Sequence, residues 1–120
     1  MPSMLIVDDE PKIVNCLQRF FDGKGFTIRC AQTGQDAMKA MRADQPDIML
    51  LDIRMPGMSG WDILKQTKEL YPKTRVVMVS AFAKPESQVE ASAYGADGYV
   101  TKPFNFSEAT WAPVFSPPVA

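Results

Sequence analysis

The chain of 120 residues contains no histidine, which removes the commonest general base and a favoured zinc ligand. It has only two cysteines, Cys16 and Cys30. Two are too few for a disulfide framework, and because both sit in otherwise apolar patterns they read as buried free thiols. It has little net charge, −1 with a pI near 5.3, and so lacks the basic footprint that nucleic acid or an anionic membrane surface requires. No apolar run approaches the roughly 20 residues that span a bilayer, and the segment from Met1 to Val7 leads into acids instead of a small-residue cleavage site. The expectation is one compact domain in a reducing, cytoplasmic compartment, with no membrane and no direct nucleic-acid partner. Any chemistry has to rest on carboxylates, Lys, Ser and the backbone.

Three short runs are apolar on both faces: MLIV at 4 to 7, IMLL at 48 to 51 and VVMV at 76 to 79. They predict central parallel strands covered on both sides. FTIRCA at 26 to 31 and GYVT at 98 to 101 alternate instead, as half-exposed edge strands do. Between these runs the period becomes helical. Ile13, Val14, Leu17, Phe20 and Phe21 form one face after Pro11, and Gly23 and Gly25 stop it. Thr33 with Asp36, and Ser59 with Asp62, resemble capping boxes and open two more helices, the second carrying Ile63, Leu64, Thr67 and Leu70. A fourth helix runs from Pro85 through Val89 to near Gly95.

Strict strand–helix alternation predicts an α/β fold with a doubly wound five-stranded parallel sheet. With the alternating strands at the edges, the order is 2-1-3-4-5, the flavodoxin-like arrangement, whose switch point between the first and third strands is where such sheets bind ligands. Asp8 and Asp9 end the first strand and Asp52 ends the third. Three carboxylates this close should not all stay ionised without a cation. Oxygen-only donors at an open loop suit Mg2+, which takes one or two carboxylates plus a phosphate oxygen. Ser80 and Lys102 end the fourth and fifth strands and offer a hydroxyl and an ammonium to the remaining oxygens of a phosphoryl group on Asp52. Asp is an established covalent acceptor of such groups. Taken singly, each of these residues also has an ordinary role as a cap, a turn or a solvated end; their convergence at one end of one sheet carries the reading.

VDDE at 7 to 10, LLDIRMPGMSGWDIL at 50 to 64, VSA at 79 to 81 and GADGYVTKPF at 95 to 104 together resemble the receiver domain of bacterial two-component response regulators. The resemblance spans residues 3 to about 106. It implies phosphorylation of Asp52 by a phosphohistidine on a sensor histidine kinase or phosphotransfer protein, so the partner supplies the missing histidine. It implies direct magnesium binding by Asp9, mostly water-mediated binding by Asp8, and a further ligand in the Arg54 backbone carbonyl, with the Arg54 side chain tuning the phosphoryl lifetime. It implies that Lys102 pairs with the phosphoryl group, that the Lys102-Pro103 bond is cis, and that Ser80 and Tyr99 form a switch pair in which the hydroxyl moves to the phosphoryl group and the ring turns inward. The resulting protein is a phosphoacceptor switch, with only its own phosphorylation and slow dephosphorylation as catalysis.

Rival readings are weaker. An aspartyl phosphatase of the haloacid dehalogenase type needs a second Asp two positions after the nucleophile, where this chain has Arg54. A flavin carrier needs a phosphate loop rich in Ser, Thr and Gly, and DDEPK at 8 to 12 would repel it. A binding-only pseudo-receiver usually lacks an acid or the lysine, and this chain keeps them.

Residues 1 to 106 form the receiver portion, and residues 107 to 120 an atypical Pro-rich tail. In place of the family's long fifth helix, NFSEATWAPVFSPPVA allows at most about two turns from Asn105 or Ser107 before Pro113 breaks it. Right-handed crossovers leave the first helix alone on its face of the sheet, so the tail is expected to help through Phe104, Phe106, Trp111, Val114 and Phe115. Two arrangements stay open: a short helix followed by an extended apolar strap, or an altered terminus leading into a linker. A face left bare would favour a homodimer formed by exchange of terminal segments.

Overall fold

The doubly apolar runs do become the interior of a sheet. In the computed structural model, which describes residues 2–55, 57–81 and 84–115, β1 (Ser3–Val7), β3 (Ile48–Leu51) and β4 (Arg75–Ser80) are central, and β2 (Thr27–Ala31) and β5 (Gly98–Thr101) are the edges. All neighbours pair in parallel, in the order β2-β1-β3-β4-β5. Every residue of β3 is buried, whereas β2 is exposed or half-buried at every residue but Ala31, as central and edge positions dictate.

Four helices fill the crossovers: α1 (Pro11–Asp22), α2 (Gly34–Ala43), α3 (Gly60–Leu70) and α4 (Pro85–Ala93). The capping signals act as read. Thr33 Oγ1 accepts from the Asp36 amide at 3.1 Å, and Ser59 Oγ from the Asp62 amide at 3.3 Å, satisfying donors that a helix N-terminus leaves free. Pro11 and Pro85 open α1 and α4, where a missing amide hydrogen costs nothing.

Two apolar layers flank the sheet. One joins Leu5, Val7, Met49, Leu51, Val76 and Met78 to α2, α3 and Ala91 of α4. The other joins Met4, Ile6, Ile48, Leu50, Val77 and Val79 to Val14, Leu17 and Phe21 of α1, together with Trp111 and Val114 from the C-terminal segment. The first helix is thus helped by the tail, as the crossover handedness requires.

Several expectations need correction. Val89 is 69% exposed and Leu70 58% exposed; α4 is buried at Ala91 alone, so its contact stripe is one residue wide and Val89 lies outside it. Cys30 is exposed, not buried, because β2 is an edge strand, and Cys16 is half-buried. Pro113 does not end a helix that starts at Asn105 or Ser107. A turn precedes it, and Pro113 is the second residue of the four-residue α5 (Ala112–Phe115), a position that tolerates proline. The expected strap beyond Phe115, in residues 116–120, lies outside the described residues, as does Pro56 of the turn after Asp52.

Candidate functional site

The sheet ladder itself delivers the site residues. Beyond the paired strands, the Asp8 amide donates to Ala31 O at 3.1 Å, the Asp52 amide to Val7 O at 3.0 Å, and the Lys102 amide to Ser80 O at 2.8 Å. Each residue is therefore fixed by the backbone one step past its strand, at the C-terminal edge where crossover loops diverge. Asp9, Glu10, Asp52, Arg54, Ser80, Ala81 and Lys102 line an open cleft of about 480 Å³ there.

Behind Asp52 the chain turns through Gly57, whose φ of +78° suits a residue without Cβ. It then enters α3 at Gly60, whose amide donates to Ile53 O at 2.8 Å. A Cβ at Gly60 would lie 2.1 Å from Asp52 O and 2.6 Å from Ile53 Cα. The helix can approach the Asp52 loop this closely only with glycine there.

Carboxylate oxygens of Asp8, Asp9, Glu10 and Asp52 lie within 4.8 Å of one another. Asp8 and Asp52 are buried, while Asp9 and Glu10 are exposed. Lys102 Nζ reaches into the group, donating to Asp8 Oδ2 at 2.8 Å and lying 3.3 Å from Glu10 Oε1 and 3.5 Å from Asp52 Oδ2. Burial pushes the Asp52 carboxyl up to about 6, reinforced by Asp8 and opposed by Lys102 and the Arg54 amide. Burial pulls the Lys102 ammonium down, but its hydrogen bond to Asp8 and the carboxylates of Asp52, Asp8 and Glu10 outweigh this and hold it above its ordinary value. One lysine does not neutralise four acids. An all-oxygen donor set with this excess of negative charge fits a hard divalent cation such as magnesium.

Tyr99, on β5, packs half-buried against the layer that holds α2, α3 and α4. Its hydroxyl shares a hydrogen bond with Ser80, and its burial raises the phenol's pKa. The Lys102-Pro103 peptide bond is cis.

A sequence model of the response regulator receiver domain matches residues 4–112. The chain belongs to that family. This receiver domain is 40% identical over 105 residues to the regulatory protein AtoC of Escherichia coli, covering 88% of the chain and 23% of AtoC. It is 37% identical to the response regulator SaeR of Staphylococcus epidermidis, covering 88% of the chain and 45% of SaeR. The chain thus spans less than half the length of these curated relatives. Among solved structures, the Francisella response regulator 1452 receiver domain superposes with a TM-score of 0.87 at 28% identity, over 96% of this chain and 95% of that one. The BeF3-activated DrrB receiver domain superposes with a TM-score of 0.81 at 30% identity, over 88% of this chain and 87% of that one.

The receiver domain brings the sequence-predicted residues Asp8, Asp9, Asp52, Arg54, Ser80 and Lys102 to one strand edge, with Tyr99 joined to them through Ser80. Glu10 escaped the sequence reading. Its signal was present as the third acid of VDDE, but its partner Lys102 lies 92 positions away, and only the sheet order brings the two together.

Proposed function

We propose that this receiver domain takes up a phosphoryl group on Asp52 from the phosphohistidine of a sensor histidine kinase or phosphotransfer protein in the cytoplasm. The observation that carries the proposal is Asp52 itself: a carboxylate at the tip of a buried strand, 5% exposed, with its pKa raised to about 6 by burial and a lysine 3.5 Å away. The ion pair with Lys102 does not offset the cost of burying Asp52, since burial is the largest cause of the shift and the net shift is upward. Asp52 is held desolvated beside an open cleft, which suits an attacking group.

In the proposed step an Asp52 oxygen attacks phosphorus as the P–N bond to the donor imidazole breaks, leaving an acyl phosphate on the chain and a free imidazole on the partner. Asp8, Asp9, Asp52 and the Arg54 carbonyl would hold Mg2+, which offsets the charge of the transferring group when bound. Lys102 moves from Asp8 to a phosphoryl oxygen and keeps its positive charge buried against a new anion. The Ser80 hydroxyl leaves Tyr99 for a second oxygen. Tyr99 then loses its hydroxyl partner, and its ring position reports the phosphorylation state to the β5 surface. Arg54 stands two positions after Asp52, where an aspartyl phosphatase of the haloacid dehalogenase type carries its general acid, so slow loss of the group, not turnover, is expected. The reader of the switch is a binding partner, a next relay protein or a further domain.

Intact mass after incubation with acetyl phosphate and magnesium tests this. One added phosphoryl group, lost in Asp52→Asn and in a chelated sample, is the expected result. A folded, magnesium-binding chain that takes up nothing would favour a binding-only pseudo-receiver.

A further inference from the structure

We infer that Glu10 is a positioning residue that restrains Lys102, holding its ammonium toward the start of α1 and limiting its availability to a group arriving on Asp52. The inference rests on the phosphoacceptor reading above and adds a residue and a regulation to it.

Glu10 is the N-cap of α1, yet its side chain makes no capping hydrogen bond. Glutamate is too long to be a favoured N-cap, so the carboxylate of Glu10 is not committed to the helix amides. Its backbone amide instead donates to Asp8 Oδ1 at 2.9 Å, which fixes the residue, while its carboxylate turns to Lys102 at 3.3 Å. Of the three carboxylates around Lys102, those of Asp8 and Asp52 are 3% and 6% exposed and that of Glu10 is 60% exposed. The two buried acids belong to the proposed metal and phosphoryl site. The solvated one lines the same cleft but is not among the proposed ligands, and it can be released cheaply, since exposed ion pairs are weak and screened by salt. Glu10 is thus built as a removable restraint. It competes for the lysine that the phosphoryl group needs, and breaking its hold does not uncover a buried charge.

Two substitutions separate restraint from simple charge. Glu10→Gln removes the carboxylate. Glu10→Asp keeps the charge but is shorter by one methylene, so its carboxylate withdraws from Lys102 and becomes able to cap α1. Initial rates of acetyl phosphate uptake at saturating magnesium, read by intact mass, are expected to rise about two- to five-fold in both variants, the range of a lost exposed ion pair. In the metal-free protein, the Lys102 ammonium resonance in nitrogen-15 NMR is expected to shift in both. A faster rate in Glu10→Gln alone would mean that the carboxylate only repels the anionic donor, and overturns the inference. So would unchanged rates, or an unshifted Lys102 signal, in both variants. Wild-type protein that takes up no phosphoryl group sinks the proposed function itself, whereas wild-type uptake with unaltered variants sinks only the restraint.

Discussion

At the scale of single residues, Asp52 has a measurable effect on stability apart from any phosphoryl chemistry. Its carboxyl is raised from 3.8 to about 6 in the folded chain, so the folded state binds the proton more tightly than the unfolded state does. Below the unfolded value both states are protonated and nothing is lost. As pH rises between about 4 and about 6, the unfolded chain ionises first and folding is progressively disfavoured, with the full penalty present above that window. Asp52→Asn removes the titration. In chelated buffer it is expected to be more stable than wild type by roughly 2–3 kcal/mol at pH 7.5, the upper figure being the full shift and the lower allowing for solvent screening at the open cleft, and close to wild type at pH 3.5. Urea unfolding at the two pH values measures this. A difference independent of pH would mean that Asp52 is not strained by its burial.

At the scale of elements, legibility followed the strength of the period. The runs at 48 to 51 and 98 to 101 coincide with β3 and β5, β1 and β2 differ by a residue at one end, and β4 by a residue at each end, because buried parallel strands are continuous apolar words. Asp8, Asp52, Ser80 and Lys102 were equally legible, since each directly follows such a word, whereas Glu10 was not. Val89 and Cys30 were misjudged because their exposure depends on how far an element lies from the sheet centre, which no local pattern records. The tail was hardest. Its order comes from tertiary contacts: Trp111 is fully buried, its ring centroid 5.2 Å from Phe21 and 5.1 Å from Phe104. Trp111 Nε1 donates to Asn105 O at 2.7 Å, and Arg75 donates to Val114 O at 2.8 Å. Four residues of helix could not persist without these contacts. Trp111→Ala is therefore expected to cost about 3–5 kcal/mol. Trp111→Phe, which keeps a ring but loses the bond to Asn105, should cost about 1–3 kcal/mol. Equal small losses in chemical unfolding would show that the tail is a passenger.

At the scale of the whole molecule, the sheet has two faces and unequal means of covering them. Three helices serve one face, while α1 shares the other with the tail segment, and Gly98 on β5 admits Pro113 so closely that an added Cβ would lie 2.4 Å from the proline Cβ. The expected motive for exchange between chains, a bare face beside α1, is removed by Trp111 and Val114, which are 0% and 2% exposed. That cover can be withdrawn deliberately. A chain ending at Phe106 would expose Phe21, Val77 and Val100 to solvent at one patch, and an apolar surface of that kind seeks a partner. Such a chain is expected to elute from a sizing column as dimers or larger species at micromolar concentration and to unfold with a lower midpoint, whereas the full chain does neither. If the shortened chain stays monomeric and keeps the full chain's midpoint, the first helix covers its face unaided, and the aromatic tail must have another purpose than completing the core.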